Sequence, residues 1–195
     1  MGLPAEKMRR ATYADLEAVP ENKVAELIRG TLHVMPRLAP KHANTSSALG
    51  CEIGSLFHFS DRGPGGWWIL GGPEVHFPDP TEPGEIDALV PDRAGWRRER
   101  MPALPETDYF TLAPDWVCEV LSEPTEAHDR GEKMAVYARE GVQHAWLVDP
   151  LAKRLEVYTL GADGKWGEPV IHRDAEVVRA APFEAIELEL SALWA

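Results

Sequence analysis

Apolar and polar positions along the chain recur with periods that assign an element to most apolar clusters. Thr12-Tyr-Ala-Asp15 opens a short helix, with Thr12 as N-cap and Asp15 reaching back to it, ending before Pro20. Val24-Ala-Glu-Leu-Ile28 and Thr31-Leu-His-Val-Met35 read as strands, and the Arg29-Gly30 pair between them predicts a hairpin. From about Pro40 to Phe59, Leu49, Ile53, Leu56 and Phe57 recur at helical spacing, which predicts an amphipathic helix with His42 in its first turn. Asp61 to Gly66 is a turn by composition. Strand patterns follow over Trp67–Leu70, Glu74–Phe77 and Glu85–Val90, the last closed by Pro91-Asp92. Leu155–Leu160 alternates and pairs with its neighbour across the turn at Asp149–Arg154, whereas Val170–Arg173 and Ile186–Leu190 are weaker strand patterns.

The stretch from Pro114 to Pro150 is the most ordered of these patterns: strand, loop, helix, strand. Trp116–Leu121 is apolar except for Glu119. In a strand Glu119 shares a face with Val117 and Leu121, while Trp116, Cys118 and Val120 take the other. Both faces are hydrophobic, as in a strand covered on each side. A carboxylate there costs several kcal/mol or shifts its pKa upward unless a cation or hydrogen-bond donors meet it. Ser122–His128 reads as a polar loop. Asp129, with Glu132 three residues on, then caps a helix that ends at Gly141, and Ala145–Val148 is a second buried strand.

Composition narrows the class. The chain of 195 residues, 44% apolar and 27% charged, is expected to form one domain with its core at about residues 10–190. No apolar run is long enough to span a bilayer and the N-terminal stretch lacks a signal peptide's apolar core, so a cytoplasmic protein is expected. Cys51 and Cys118 read as small buried hydrophobes. None of the seven histidines shows a paired-ligand spacing, which speaks against a zinc enzyme. The net charge of −12 argues against a surface built broadly for nucleic acid, so a DNA contact needs metal ions or a local basic patch. The single dense basic segment, Arg93–Pro105, holds Arg93, Arg97, Arg98 and Arg100 around Trp96, and exposed contacts are expected there.

The candidate chemistry gathers at strand ends. Asp92 closes one strand, Glu119 is buried in another, and Lys133 lies in the first turns of the following helix. Asp87, on the strand before Asp92, competes for the same role. Two carboxylates on adjacent strands can hold Mg²⁺ or Mn²⁺ against a phosphodiester. A nearby lysine stabilises the charge that develops, and the helix N-terminus is expected to lower its pKa.

The segments Glu26-Leu-Ile-Arg-Gly30, Pro40-Lys-His42, Pro91-Asp92, Glu119-Val-Leu-Ser122, Asp129-Arg-Gly-Glu-Lys133 with Tyr137-Ala138, and Trp146-Leu-Val-Asp-Pro150 stand in the order seen in the Uma2-like endonucleases. The resemblance to this branch of the PD-(D/E)XK nucleases covers roughly residues 10–190. It implies an α/β fold, a restriction-endonuclease-like mixed central sheet flanked by helices, with a β-hairpin extension. By the same resemblance Asp92 and Glu119 are metal ligands, Glu26 is an auxiliary ligand, and Lys133 replaces the motif lysine, whose usual position here is Leu121. Tyr137 sits one turn beyond Lys133 on the same helix face. His42 is expected to be structural or a phosphate contact. The function implied is Mg²⁺- or Mn²⁺-dependent hydrolysis of DNA, with a homodimer as a further expectation. The alternative is a catalytically weak or inactive nuclease-fold module that binds nucleic acid or protein.

Overall fold

A computed structural model of the chain describes residues 9–35, 39–59 and 63–194. The start of the chain and part of the turn expected at Asp61–Gly66 lie outside them. Helix α1 (Tyr13–Glu17) has the expected start: the Thr12 amide and hydroxyl both donate to Asp15, at 2.8 and 2.9 Å. The hairpin of β1 (Val24–Ile28) and β2 (Thr31–Met35) pairs in register from Val24 with Met35 to Ile28 with Thr31. Arg29 and Gly30 have φ of 49° and 72°, the type I′ geometry whose twist suits adjoining antiparallel strands.

Helix α2 (Pro40–Phe57) buries Leu49, Ile53 and Phe57, spaced by fours along one face. Cys51 lies two positions from Leu49 and from Ile53, so it points the other way. It is exposed, contrary to the expectation for both cysteines, while Cys118 is buried. The strands β3 (Trp67–Gly71), β4 (Val75–Pro78), β5 (Ile86–Leu89), β6 (Arg93–Arg97) and β7 (Trp116–Val120) follow. Next come α3 (Glu126–His128), a π-helical turn at Asp129–Lys133, and α4 (Met134–Arg139). The chain continues through β8 (His144–Asp149), β9 (Arg154–Thr159), β10 (Val170–Arg173), β11 (Val177–Val178) and β12 (Leu188–Glu189) to a closing 3₁₀ turn at Leu190–Leu193.

The strands divide into a mixed six-stranded sheet, in the order β10-β9-β8-β7-β6-β3, an antiparallel four-stranded sheet, β2-β1-β5-β4, and the small β11-β12 pair. The expected hairpin extension is thus half of a second sheet. Within the large sheet β7 and β8 are parallel, with Glu119 opposite Leu147, and the helical segment between them makes the crossover. The face split expected for β7 holds. Trp116, Cys118 and Val120 pack with α2 residues in one core, and Val117 and Leu121 pack with Met134, Val136 and Tyr137 of α4 in the other. Helices therefore cover both sides.

One central strand escaped the sequence pattern. β6 pairs with both β3 and β7, so the basic segment begins inside the sheet. Ala94 and Trp96 are fully buried on one face, and the arginines that mask this alternation lay their stems along the sheet. Arg93 runs between α2 and β3, donating to the Ser46 carbonyl at 3.0 Å. A Cβ on Gly50 or Gly71 would stand 2.6–2.7 Å from its guanidinium, so a side chain at either position would displace Arg93 from this path. The helix after β7 also begins a turn earlier than expected. The Ser122 carbonyl accepts from the Thr125 and Glu126 amides, so Asp129 is inside the helix and does not cap it. Among the described residues no helix is long and apolar enough to cross a membrane.

Candidate active site

Asp92 lies at the switch between the two sheets, where the chain leaves β5 through Val90-Pro91 and enters β6. Antiparallel pairing of β6 with β7 sets Arg93 opposite Cys118 and brings Asp92 beside Glu119. The Val120 amide donates to Asp92 Oδ2 at 2.8 Å, and the Asp92 amide faces Glu119 Oε2 at 3.4 Å. His42, at the start of α2, meets Asp92 Oδ1 through Nε2 at 2.7 Å.

Lys133 arrives from the opposite side. The π-helical turn holds one more residue per turn than an α-helix, and such turns recur at functional sites. Arg130 anchors it to the sheet by a bidentate pair to Glu156, both bonds 2.8 Å, while Asp129 and Lys133 turn inward and are buried. The Lys133 ammonium lies 2.9 Å from Glu119 Oε1, 2.9 Å from Glu26 Oε1 and 3.7 Å from Asp129 Oδ1, with the Val90 carbonyl at 3.4 Å. The Tyr137 hydroxyl donates to Glu119 Oε1 at 2.6 Å. The buried acid in β7 therefore has the cation and the donor that its burial demands, both from the helix that carries them one turn apart.

Glu26 is fully buried with both oxygens engaged. Oε1 accepts from the Val90 amide at 2.7 Å and pairs with Lys133, and Oε2 meets His128 Nε2 at 2.9 Å. Burial alone would raise its pKa, but Lys133, His128 and the Val90 N–H outweigh that and hold it down to about 2. Glu26 thus anchors Lys133 and His128, and it is absent from the cleft wall where the other acids stand. Asp87, the competitor of Asp92, is also fully buried, but Arg29 N–H and Arg139 occupy its oxygens at 2.5 and 2.8 Å, away from the cleft.

Asp92, Glu119, Asp129, Lys133 and His42 form the polar wall of one cleft of about 130 Å³, faced by Val24, Met35, Ala39 and Pro124. That volume holds several waters. Burial first, then the charges of Asp129, Asp92 and Glu26, push Glu119 well above the usual carboxylate range against the pull of Lys133, and burial with Glu26 and Asp92 raises Asp129. For Lys133, burial alone would lower the pKa, but Glu119 and Glu26 outweigh it and the value is raised, opposite to the expectation from a helix N-terminus. Asp92, Glu119 and Asp129 bring three carboxyl groups to this wall, with Lys133 beside them. This donor set fits a hard divalent cation.

Asp129 went unrecognised in the sequence as a site acid because its position before Glu132 resembled a cap. Its i,i+4 spacing to Lys133 was the available signal. Of the four arginines expected to face a ligand, Arg93, Arg97 and Arg98 are half-buried and engaged within the fold, whereas Arg100 is exposed. Besides Arg93, Arg97 lies over Trp67 at 4.5 Å, Arg98 lies over Trp68 at 3.7 Å and donates to the His58 carbonyl at 2.7 Å, and Arg100 pairs with Asp115 at 2.8 Å. Trp96, expected among exposed contacts, is fully buried, stacked on Phe110 with its indole N–H on the Leu112 carbonyl at 2.8 Å.

Residues 10–192 match the family model Uma2, described as "Putative restriction endonuclease". Among solved structures, the chain is similar to "a putative nuclease belonging to DUF820" from Anabaena variabilis ATCC 29413, with a TM-score of 0.73 and 21% identity, over 94% of this chain and 97% of that one. No curated protein matches.

Proposed function

The chain belongs to the Uma2 family, described as putative restriction endonucleases, and from that premise we propose that it is a Mg²⁺- or Mn²⁺-dependent endonuclease hydrolysing DNA phosphodiester bonds. The observation that carries this reading is the convergence of Asp92, Glu119 and Lys133, from three separate elements, on one cleft. On this reading Asp92 and Glu119 hold the ion, and Asp129 stands beside them as a third carboxylate on the same wall. Bound there, the ion would polarise a phosphoryl oxygen and lower the pKa of a coordinated water. His42 orients the Asp92 carboxylate, and Tyr137 orients Glu119. Lys133, pinned by Glu26, supplies fixed positive charge beside the reacting phosphate. No water has to reorganise for that charge to act.

Supercoiled plasmid incubated with Mn²⁺ or Mg²⁺ tests the proposal. Wild type nicks it, EDTA stops the reaction, and Asp92→Asn and Glu119→Gln lower the rate by about 10²-fold or more. Equal cleavage by Glu119→Gln sinks it. The second reading, a nuclease-fold binding module without turnover, is favoured by the internal commitment of Arg93, Arg97 and Arg98 and the charge of −12. Calorimetric titration with Mn²⁺ separates the two, because an enzyme's affinity for the ion collapses in Asp92→Asn. A homodimer is part of the same proposal, and sedimentation showing only monomer would remove it.

A further inference from the structure

Outside the cleft, three side chains from three elements converge at the other end of Glu26. His128, the last residue of α3, and Glu132, in the π-helical turn, are four apart and meet through His128 Nδ1 and Glu132 Oε2 at 2.9 Å. His33 of β2 reaches the same carboxylate oxygen through Nε2 at 3.2 Å, and the two imidazole rings lie 4.1 Å apart. One ligand atom from each residue lies within 4.8 Å of the others.

The hydrogen bonding around them decides what this arrangement needs. His128 Nε2 faces Glu26 Oε2 at 2.9 Å, and a carboxylate already accepting from Lys133 and the Val90 amide can only accept. Nε2 therefore carries the proton, and in the neutral ring Nδ1 presents a lone pair to Glu132. His33 Nε2 is shielded from solvent and has no hydrogen-bond partner. With His128 neutral and His33 protonated on Nδ1, two imidazole nitrogens and a carboxylate oxygen converge as acceptors around one point, an arrangement that a cation satisfies.

We propose that His33, His128 and Glu132 form a second metal site, for a divalent ion of the zinc class, distinct from the Asp92–Glu119 cleft. Two imidazoles and a carboxylate suit zinc, cobalt or nickel, whereas magnesium prefers an all-oxygen set. Three protein ligands leave the fourth position to water. Glu26 is the carboxylate that orients the ligating histidine, the usual outer partner of a metal-bound imidazole. Because Glu26 also holds Lys133, an ion here is one carboxylate away from the cleft. A proton on His128, shared with Glu132, is the competing occupant.

The test uses the full chain stripped with EDTA and titrated with Co²⁺, followed by its visible absorption, and with Zn²⁺ by calorimetry. The site predicts one equivalent of Co²⁺ whose visible band is unaffected by millimolar Mg²⁺ and retained in Asp92→Asn, apart from any ion held in the cleft. His33→Gln and Glu132→Gln each weaken binding by at least about tenfold. Neither side chain is fully buried, so both variants are expected to fold, and circular dichroism checks this. No band, a band that survives both substitutions, or loss of the band in Asp92→Asn overturns the proposal. The first result would leave the proton as occupant, and the last would assign the ion to the cleft.

Discussion

Replacing Lys133 with Met removes the charge at the centre of the cluster while keeping most of the aliphatic stem. The lysine side chain is 3% exposed and sits 2.9 Å from each of two carboxylates that are themselves buried, Glu26 and Glu119. Breaking a buried pair from one side leaves the partner charge uncompensated, at a cost of roughly 3–5 kcal/mol. For a chain of this size each kcal/mol moves Tm by about 2–4 °C, so Lys133→Met should melt roughly 6–20 °C below wild type at pH 7.5. Exposed pairs are screened by salt and this one is not, so the gap persists in 0.5 M NaCl. The Lys133 pKa is raised in the fold, so its contribution is fully present below its unfolded value of 10.5 and is lost only as pH rises through the folded one. The gap should therefore hold steady from neutral pH to about 10, and shrink toward acid as the stranded carboxylates take up protons. Calorimetric melts of both proteins across pH 4–10 measure this. A Lys133→Met protein melting within about 2 °C of wild type at pH 7.5 would show that the lysine is not the counter-ion of this cluster.

Glu119→Gln should behave in the opposite sense on stability. A folded pKa above the ordinary value near 4.5 means the charged form costs stability as pH rises past that value. The amide variant is therefore expected to melt at or above wild type at pH 7.5 while losing cleavage, read from parallel melts and plasmid assays. Glu26 has the reverse linkage. Held near 2, it contributes stability present above pH 4.5 and lost as pH falls toward 2, so Glu26→Gln should flatten the acid limb of the stability curve. Arg98→Ala should lower stability by about 1–3 kcal/mol, through lost stacking on Trp68 and unpaired carbonyls of Trp67 and His58, without changing the salt dependence of DNA binding. A changed salt slope in filter binding would return Arg98 to the DNA-facing surface.

The acids differed in how readable they were. Glu119 was legible because a charge in an apolar strand violates the pattern, and the violation demands a partner whatever the fold. Lys133 and Tyr137 were legible as a pair because helix geometry fixes residues four apart on one face. Asp92 could be placed at a strand end but not distinguished from Asp87 by composition, because the two differ only in what they meet after folding. Asp87 meets Arg139, and Asp92 meets Glu119 and His42. Strand β6 was hidden because long arginine stems can line a sheet while their charges suggest a solvated loop.

The sequence by itself determined the local periods, the hairpin turn, the strand–helix–strand order around Glu119 and the need for a cation or donors beside that acid, since these rest on patterns among near neighbours. Which residue answers that need, which acid faces the cleft and which anchors the lysine, and the meeting of His33 with His128 were decided only in the tertiary structure. These contacts join positions tens of residues apart, and their distances are set by the packing of two sheets against a helix.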